Sequence, residues 1–500
     1  MESQNGKDRT GRILWAVVGL AFALRVLLAL ISDNFNHPDE NFQILEQAHR
    51  AVFGYGVIPW EYRFAARSWL VPGLAAVLLY PFKLLGLGNP DIYVPSIKII
   101  LSLISLAVIF SAYHIGKKLS SPKAGLWAAF FCAVWYEMIY FSIRPLSEVW
   151  ATTFLLGSIA LSLDGGSRKR IILAAILACL AAAIRINYIP VVLVFALMTF
   201  LGLNTDNRRV YIYSFVAGMV FVGLFETITV GKPFISYLNF YLVNKTFFMA
   251  GTPASIFSIE YLKFLGWSST FLFWAIFVAG FFVWQKSSTP MLLIIVILLS
   301  HLLVPAKKHQ IDYRHIYAAI PLLMIVGGML CSEMLAKIRM TELRKLSAVA
   351  ASVIIILIST LGAFGYLPGQ AKVYEGKTFE VYNHSLFFKD ARLEAYRFLN
   401  KQTDIRGVYD VSGLWFRSGG FYYLHRDVPL YFDNTPPATL AYISHIITSG
   451  QQIVMPGFQL MTSIENIQIY TRSDKTFRYK TDPSYTRNMP QPGVDGSFRL

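Results

Sequence analysis

Long apolar runs dictate what this chain can become. Ile13 to Ile31, Ile92 to Ile115 and Leu346 to Leu367 each approach or exceed the roughly 18 to 20 residues that an α-helix needs to cross hydrocarbon. A segment in lipid must satisfy every backbone N–H and C=O internally, which leaves the helix as the form for runs of this length. Hydrophobic residues make up 55% of the chain and charged residues only 15%. Against a usual charged share of about 25%, that apolar excess does not suit an ordinary soluble enzyme. The expectation is an all-α polytopic membrane protein.

Charge gives that protein an orientation. The formal net charge is +16, from 45 basic against 29 acidic residues. In a soluble chain this surplus would suggest nucleic acid. Here the basic residues gather between apolar runs: Lys7, Arg9 and Arg12; Lys117, Lys118 and Lys123; Arg168, Lys169 and Arg170; Arg208 and Arg209; Lys337, Arg339, Arg344 and Lys345. That is the positive-inside pattern, so membrane lipids and not nucleic acid are the expected partners. The first run is long and no small-residue cleavage site follows it, as suits an uncleaved span. With the basic clusters inside, the chain makes about eleven crossings of ~20 residues. Leu70 to Leu87, interrupted by Pro72 and Pro81, fits a re-entrant or interfacial segment. Cys132, Cys179 and Cys331 all lie in apolar segments, so neither a disulfide framework nor a metal-type Cys pair is available.

Composition then divides the chain. Residues 1–369 are expected to form the transmembrane domain, with a first outer loop at 32–69, and residues 370–500 a small extracytoplasmic α/β domain. That tail opens with helical spacing at Phe388, Leu393, Tyr396, Phe398 and Leu399. Short apolar strands follow around Val408 to Val411, Leu430 to Phe432 and Gln452 to Met455. No internal repeat is visible, so the signature common in secondary transporters is missing.

The first outer loop carries the chemistry. It reads Asn36-His37-Pro38-Asp39-Glu40-Asn41-Phe42-Gln43, followed by Glu46, His49, the Phe53-Gly54-Tyr55-Gly56 turn, Trp60-Glu61 and Arg67-Ser68. Two adjacent carboxylates and a histidine thus sit just beyond the end of a membrane helix. Asp39 and Glu40 equally suit a helix's first turn, where acids meet the positive end of the dipole. Phe42, Leu45 and His49 recur at helical spacing while Gln43, Glu46 and Gln47 take another face, so the segment reads as an interfacial helix.

This ordered series resembles the glycosyltransferase family 22 mannosyltransferases of the GT-C superfamily. Weaker similarity extends to Arg144-Pro145-Leu146-Ser147-Glu148 and to His309 through Pro321. There His309, Asp312 and Arg314 stand in for the family's His, acid and Arg, with altered spacing and with His315 in place of an aromatic residue. The resemblance implies a GT-C fold and an enzyme. No cofactor is expected, and no residue is assigned to a metal. The enzyme would take a sugar, usually mannose, from a polyprenyl- or dolichyl-phosphate donor and pass it with inversion to a hydroxyl of a glycan or glycolipid acceptor. It also implies Asp39 as the catalytic base, because family members place a catalytic Asp on the first outer loop, with Glu40 sharing that role or orienting the acceptor.

The residues permit this chemistry independently. Phosphate leaves without being protonated, so inverting transfer needs a carboxylate to take the acceptor proton and cations to hold the developing phosphate charge. Lys307, Lys308, His309 and Arg314 map to the outer boundary, and Arg suits bidentate phosphate binding. Lys307 and Lys308 equally suit anchoring of a helix end to headgroups. Arg144, Arg185 and Arg67 form a second set, since ionisable groups at buried turns are costly. His37, Gln43, Glu46, His49, Trp60, Glu61 and Arg67 are acceptor-binding or structural candidates. Arg25, inside the first span, reads as structural, snorkelling or pairing with Glu137 or Glu226. The rival function is a polytopic transporter of a small polar or lipid-linked substrate, whose key charges would lie near the bilayer midplane. Short loops and the altered later motif point to a bacterial inner membrane, with the endoplasmic reticulum as the alternative and the site on the extracytoplasmic or lumenal face.

Overall fold

The computed structural model describes residues 2–35, 37–164, 167–248, 254–255, 278, 306–307, 310–366, 371–374, 377–380, 386–387, 389–413, 415–433, 436–450, 455–474 and 476–488. Most of them are helical. Among the described residues, five helices are long and apolar enough to cross a membrane: Arg9–Ile31, Pro90–Leu119, Thr205–Val230, Ala319–Lys337 and Thr341–Ala363. Leu70–Leu84, Pro122–Val134 and Ile186–Gly202 are shorter apolar helices. The chain is a multi-pass membrane protein. Its contacts gather into two units: Met1–Ala29, Ile99–Phe234 and Met249–Phe387 in one, and Leu30–Lys98, Ile235–Phe248 and Phe388–Leu500 in the other.

In the first unit small residues set the helix spacing. Ala319–Lys337 packs along Pro122–Val134 so closely that a Cβ on Gly328 would stand 2.4 Å from the Ala128 nitrogen. Such contact suits helices in lipid, where no hydrophobic drive separates helix from solvent and packing must supply the association. Ser147–Ser162 lies on the alanine face of Arg168–Ile184, which in turn packs on Thr205–Val230. At the turn after Ser162, Asp164 pairs with His114 at 2.9 Å and with Lys118 and Arg170. One carboxylate therefore joins members of two basic clusters that the charge pattern sets on the same side. A ladder of short antiparallel strands runs in the order β1 (Ala254–Ser255), β2 (Ala306–Lys307), β3 (Gln310–Asp312), β4 (Ala371–Tyr374), β5 (Lys377–Glu380).

The same unit contains a helix break. Pro122–Val134 and Tyr136–Phe141 are separated by Trp135, whose extended backbone (φ −65°, ψ 128°) ends the first helix. A helix end leaves its last carbonyls without intrahelical partners. Arg25 donates to the carbonyls of Ala133 at 3.0 Å and Cys132 at 3.1 Å, and the Ser359 hydroxyl donates to that of Val134. Its remaining bond returns to Ala21 of its own helix at 3.0 Å. The expectation that Glu137 or Glu226 would pair with Arg25 is thereby corrected. Carbonyls at the negative end of a helix dipole hold the guanidinium, and Glu137 accepts from the Trp135 indole N–H at 3.2 Å. Arg25→Met keeps the apolar stem but orphans buried carbonyls. It is expected to destabilise the protein by roughly 2–6 kcal/mol, read as a fall in the melting temperature of detergent-solubilised material.

The second unit is built around the segment Asp39–Phe53, π-helical over Asp39–Leu45 and α-helical over Glu46–Phe53. Gly54 ends it at φ +93°, a left-handed position that glycine adopts without steric cost, with its N–H on the Arg50 carbonyl at 2.9 Å. Leu70–Leu84 packs against it. At 15 residues that helix is about 22 Å long, short of the ~30 Å hydrocarbon thickness. The tail contributes a five-stranded sheet: β6 (Val408–Asp410), β7 (Leu430–Phe432), β8 (His445–Ser449), β9 (Phe458–Ile464) and β10 (Ile467–Arg472), in the order β7-β6-β8-β10-β9. β6 runs parallel to β7 and β8, and the other pairings are antiparallel. Tyr431, Ile443, Ile446, Phe458 and Tyr470 form a core on it. The helix Ala391–Asn400, capped by the Asp390 carboxylate on the Arg392 N–H at 3.0 Å, buries Leu393, Tyr396 and Leu399. Of the strand expected at Gln452 to Met455, residues 452–454 lie outside the described residues. Asp33 ties loop to tail, meeting Lys98 and Arg397 at 3.0 Å each.

Candidate active site

The segment Asp39–Phe53 starts with a self-closing turn. Glu40 places Oε1 on the His37 main-chain N–H at 3.2 Å while its own N–H reaches the His37 carbonyl at 3.0 Å. This is the reciprocal logic of a capping box. His37 Nδ1 accepts the Asp39 N–H at 3.2 Å and stands 3.4 Å from Asp39 Oδ1. The Asp39 side chain remains 17% exposed.

One group of contacts runs from Gln43. Its Nε2 donates to Glu61 Oε1 at 2.7 Å, its Oε1 accepts from Arg67, and its carbonyl accepts the Tyr62 hydroxyl at 2.6 Å. Arg67 also lies 5.3 Å over the Phe240 ring. Burial, and then the Asp39 charge, push the Glu61 carboxyl up to about 7, against the pull of Arg67. Glu61 thus carries its proton through the mildly acidic range. Trp60 beside it packs with Ala66 and Val243.

Asn41, Glu46 and His49 grip the tail instead. Asn41 Nδ2 donates to the carbonyls of Ser418 at 3.3 Å and Gly419 at 3.0 Å. Glu46, fully buried, accepts the main-chain N–H groups of Val57 at 2.7 Å, Phe421 at 3.1 Å and Tyr422 at 2.8 Å. The last two open the short helix Gly420–Leu424. A Cβ on Gly420 would come 2.7 Å from Glu46 Oε2, so glycine is what lets the carboxylate in. His49 bonds the Tyr55 carbonyl through Nδ1 at 3.0 Å and His425 Nδ1 through Nε2 at 2.9 Å. These partners fix the tautomers: His49 Nδ1–H donates to the carbonyl, and His425 Nδ1–H donates to His49 Nε2. Burial pushes both rings down, to about 3 for His49 and about 4 for His425, so the pair is neutral. Glu40, Glu46 and His49 therefore build this unit.

The cationic candidates belong to the other unit. Fully buried Glu148 meets Arg185 at 2.8 Å and the Arg314 Nε at 3.7 Å, and the Ser147 hydroxyl donates to its second oxygen at 3.0 Å. Arg144 is buried with its guanidinium 3.9 Å from the Tyr140 ring centroid. Tyr188 donates to the Glu148 carbonyl at 3.3 Å and shares a 2.7 Å contact with Thr152. Lys307 pairs through its backbone with Ala254 and Gln310, and Lys308 and His309 lie outside the described residues. Among the described residues no three His, Cys, Asp or Glu side chains converge as a metal site would require.

The model of the Alg9-like mannosyltransferase family matches residues 16–368. The chain belongs to that family. GPI mannosyltransferase 3 of Yarrowia lipolytica is 26% identical over 340 residues, 65% of this chain and 64% of that protein. GPI alpha-1,2-mannosyltransferase 3 of Homo sapiens is 29% identical over 132 residues, 26% of this chain and 24% of that protein. The chain thus matches less than two thirds of either relative's length. The crystal structure of ArnT from Cupriavidus metallidurans bound to undecaprenyl phosphate is similar at a TM-score of 0.54 and 11% identity, covering 91% of this chain and 97% of that one. At that identity the likeness shows the fold, of GT-C type.

The family match takes in Asp39, Glu148 and Arg314 and ends before the tail. Sequence reasoning missed Ser418, Gly420 and His425, which no local spacing marks. The usable signal was indirect: polar residues at 41, 46 and 49 on a segment with apolar neighbours require distant partners. Glu61 supplies a test. Its raised value means its stabilising contribution is whole below about 4.5 and is lost as pH rises through about 7. Glu61→Gln is therefore expected to gain stability relative to the parent between pH 5 and 8, by up to about 3 kcal/mol, as measured by thermal unfolding across that range.

Proposed function

We propose that this family member moves mannose from a polyprenyl- or dolichyl-phosphate donor to a hydroxyl of a glycan or glycolipid, with inversion and with Asp39 as base. One observation carries the assignment. Of the four carboxylates between Asp39 and Glu61, Glu46, Glu40 and Glu61 are 0%, 3% and 6% exposed and are engaged internally. Asp39 keeps its carboxylate partly open on a segment fixed at both ends. In the step, the acceptor oxygen attacks the sugar C1 as its proton passes to Asp39. The C1–O bond to phosphate breaks on the opposite face, and its electron pair leaves with the polyprenyl phosphate. Arg314, Arg185 and Arg144 receive that charge, with Lys307, Lys308 and His309 as further donors. Cationic donors aimed at a developing phosphate stabilise the transition state more than the ground state.

Membership in a mannosyltransferase family supports group transfer over the transporter alternative. The names of the yeast and human relatives support a GPI-type glycolipid as acceptor and the endoplasmic reticulum membrane, in place of the bacterial inner membrane expected from loop length. With Lys7, Arg9 and Arg12 on the cytoplasmic side, the first span would bring the first outer loop to the lumenal face.

Purified full-length protein given radiolabelled dolichyl-phosphate mannose and a mannosylated glycolipid should form product. Asp39→Asn is expected to lower kcat by about 10²–10⁴-fold with the melting temperature retained, and full activity in that variant would refute the base. Arg314→Ala should raise the donor KM more than the acceptor KM. An unchanged donor KM removes Arg314 from the phosphate site.

A further inference from the structure

The tail presents an aromatic turn to the start of the Asp39 segment. Trp415–Arg417 follows β6, and the Trp415 ring stands 5.0 Å from that of Phe42, edge to face at 71°. Phe42 is three residues on from Asp39 in the same π-helical stretch, so Trp415 packs on the stretch that carries the proposed base. The turn is held firmly. Asn41 takes the carbonyls of Ser418 and Gly419 directly after it, and the Glu46 carboxylate caps the helix that follows. Ahead of it, the buried Asp410 carboxylate accepts the Tyr396 hydroxyl at 2.7 Å and the Ser412 N–H and hydroxyl at 2.9 and 2.6 Å. Yet Trp415 and Phe416 stay only partly buried and Arg417 is exposed. The core of this sheet lies with Tyr431, Ile443 and Tyr470, which leaves the aromatic pair outside it.

We propose that Trp415, presented by the tail beside Phe42, is a stacking platform for a sugar ring of the acceptor and so a specificity-determining residue. The inference rests on the transfer reaction proposed above. A pyranose offers one face of C–H groups and a rim of hydroxyls. An indole supplies a flat apolar surface that binds such a face with little loss of side-chain freedom. Arg417, the next residue but one, is placed to meet a hydroxyl or an anionic substituent of the same acceptor. The tail, which lies beyond the family match, thereby gains a function: it carries one wall of the acceptor site.

The test separates binding from chemistry. In full-length Asp39→Asn protein with no donor present, so that transfer cannot occur, the affinity of fluorescently tagged α-mannobioside is measured for Trp415, Trp415→Phe and Trp415→Ala. Trp415→Ala is expected to weaken binding about tenfold and Trp415→Phe by no more than about threefold, with melting temperatures alike. With Asp39 intact, Trp415→Ala should raise the acceptor KM and leave the donor KM unchanged. Equal affinity in all three proteins, equal loss in Phe and Ala variants, or no binding of the mannoside to any of them overturns the platform. If the mannoside binds as expected but the Asp39 protein transfers nothing to it or to a mannosylated glycolipid, the transfer reading fails and the platform stands.

Discussion

The second unit depends on one carboxylate bonded to three backbone amides. Glu46 lies fully buried on the first outer loop and accepts the N–H groups of Val57, Phe421 and Tyr422. Removing a carboxylate from water is costly, and here burial pushes it up to about 7 although all three amides pull the other way. What it gains is connection. Val57 belongs to the same loop, whereas Phe421 and Tyr422 open a helix in the tail, so one side chain fastens segments separated by 375 and 376 positions. Asn41 and the neutral His49–His425 pair repeat the bond on either side. A base needs a fixed position to act on an acceptor hydroxyl, and this joint fixes the segment that carries Asp39, the base proposed above.

The first unit handles its buried polarity differently. The broken helix at Trp135 exposes three successive carbonyls inside an apolar bundle, and each is satisfied from another helix, two by Arg25 and one by Ser359. Glu148 draws in Arg185 and Arg314 from separate chain segments. In both places a buried charged side chain is placed where its partner is already fixed.

Much of this was legible in the sequence. The long apolar runs announced the multi-pass architecture because a spanning helix must be long and apolar whatever its neighbours. The helical segment after His37 and the tail helix Ala391–Asn400 were visible from spacing, as were strands β6 and β7. Strands β8, β9 and β10 were not anticipated. β10 is buried along its whole length and so lacks the alternation that marks a half-exposed strand. Arg25 was matched to acids because acids are visible in a sequence, whereas carbonyls freed by a helix break are not. Glu46 and His49 were placed only as acceptor-binding or structural, since their partners Tyr422 and His425 come from the far end of the chain.

The π-helical opening of Asp39–Leu45 also sets an angle. Such a stretch holds about one residue more per turn than regular helix accommodates and is frequent at functional sites. Taking one residue out would let the turn relax to ordinary α-helix and would rotate Asp39 by about 100° about the axis relative to Glu46. The bonds of Asn41 and Gln43 start within the same turn, so its irregularity sets the phase of Asp39 against the joint that Glu46 makes with the tail.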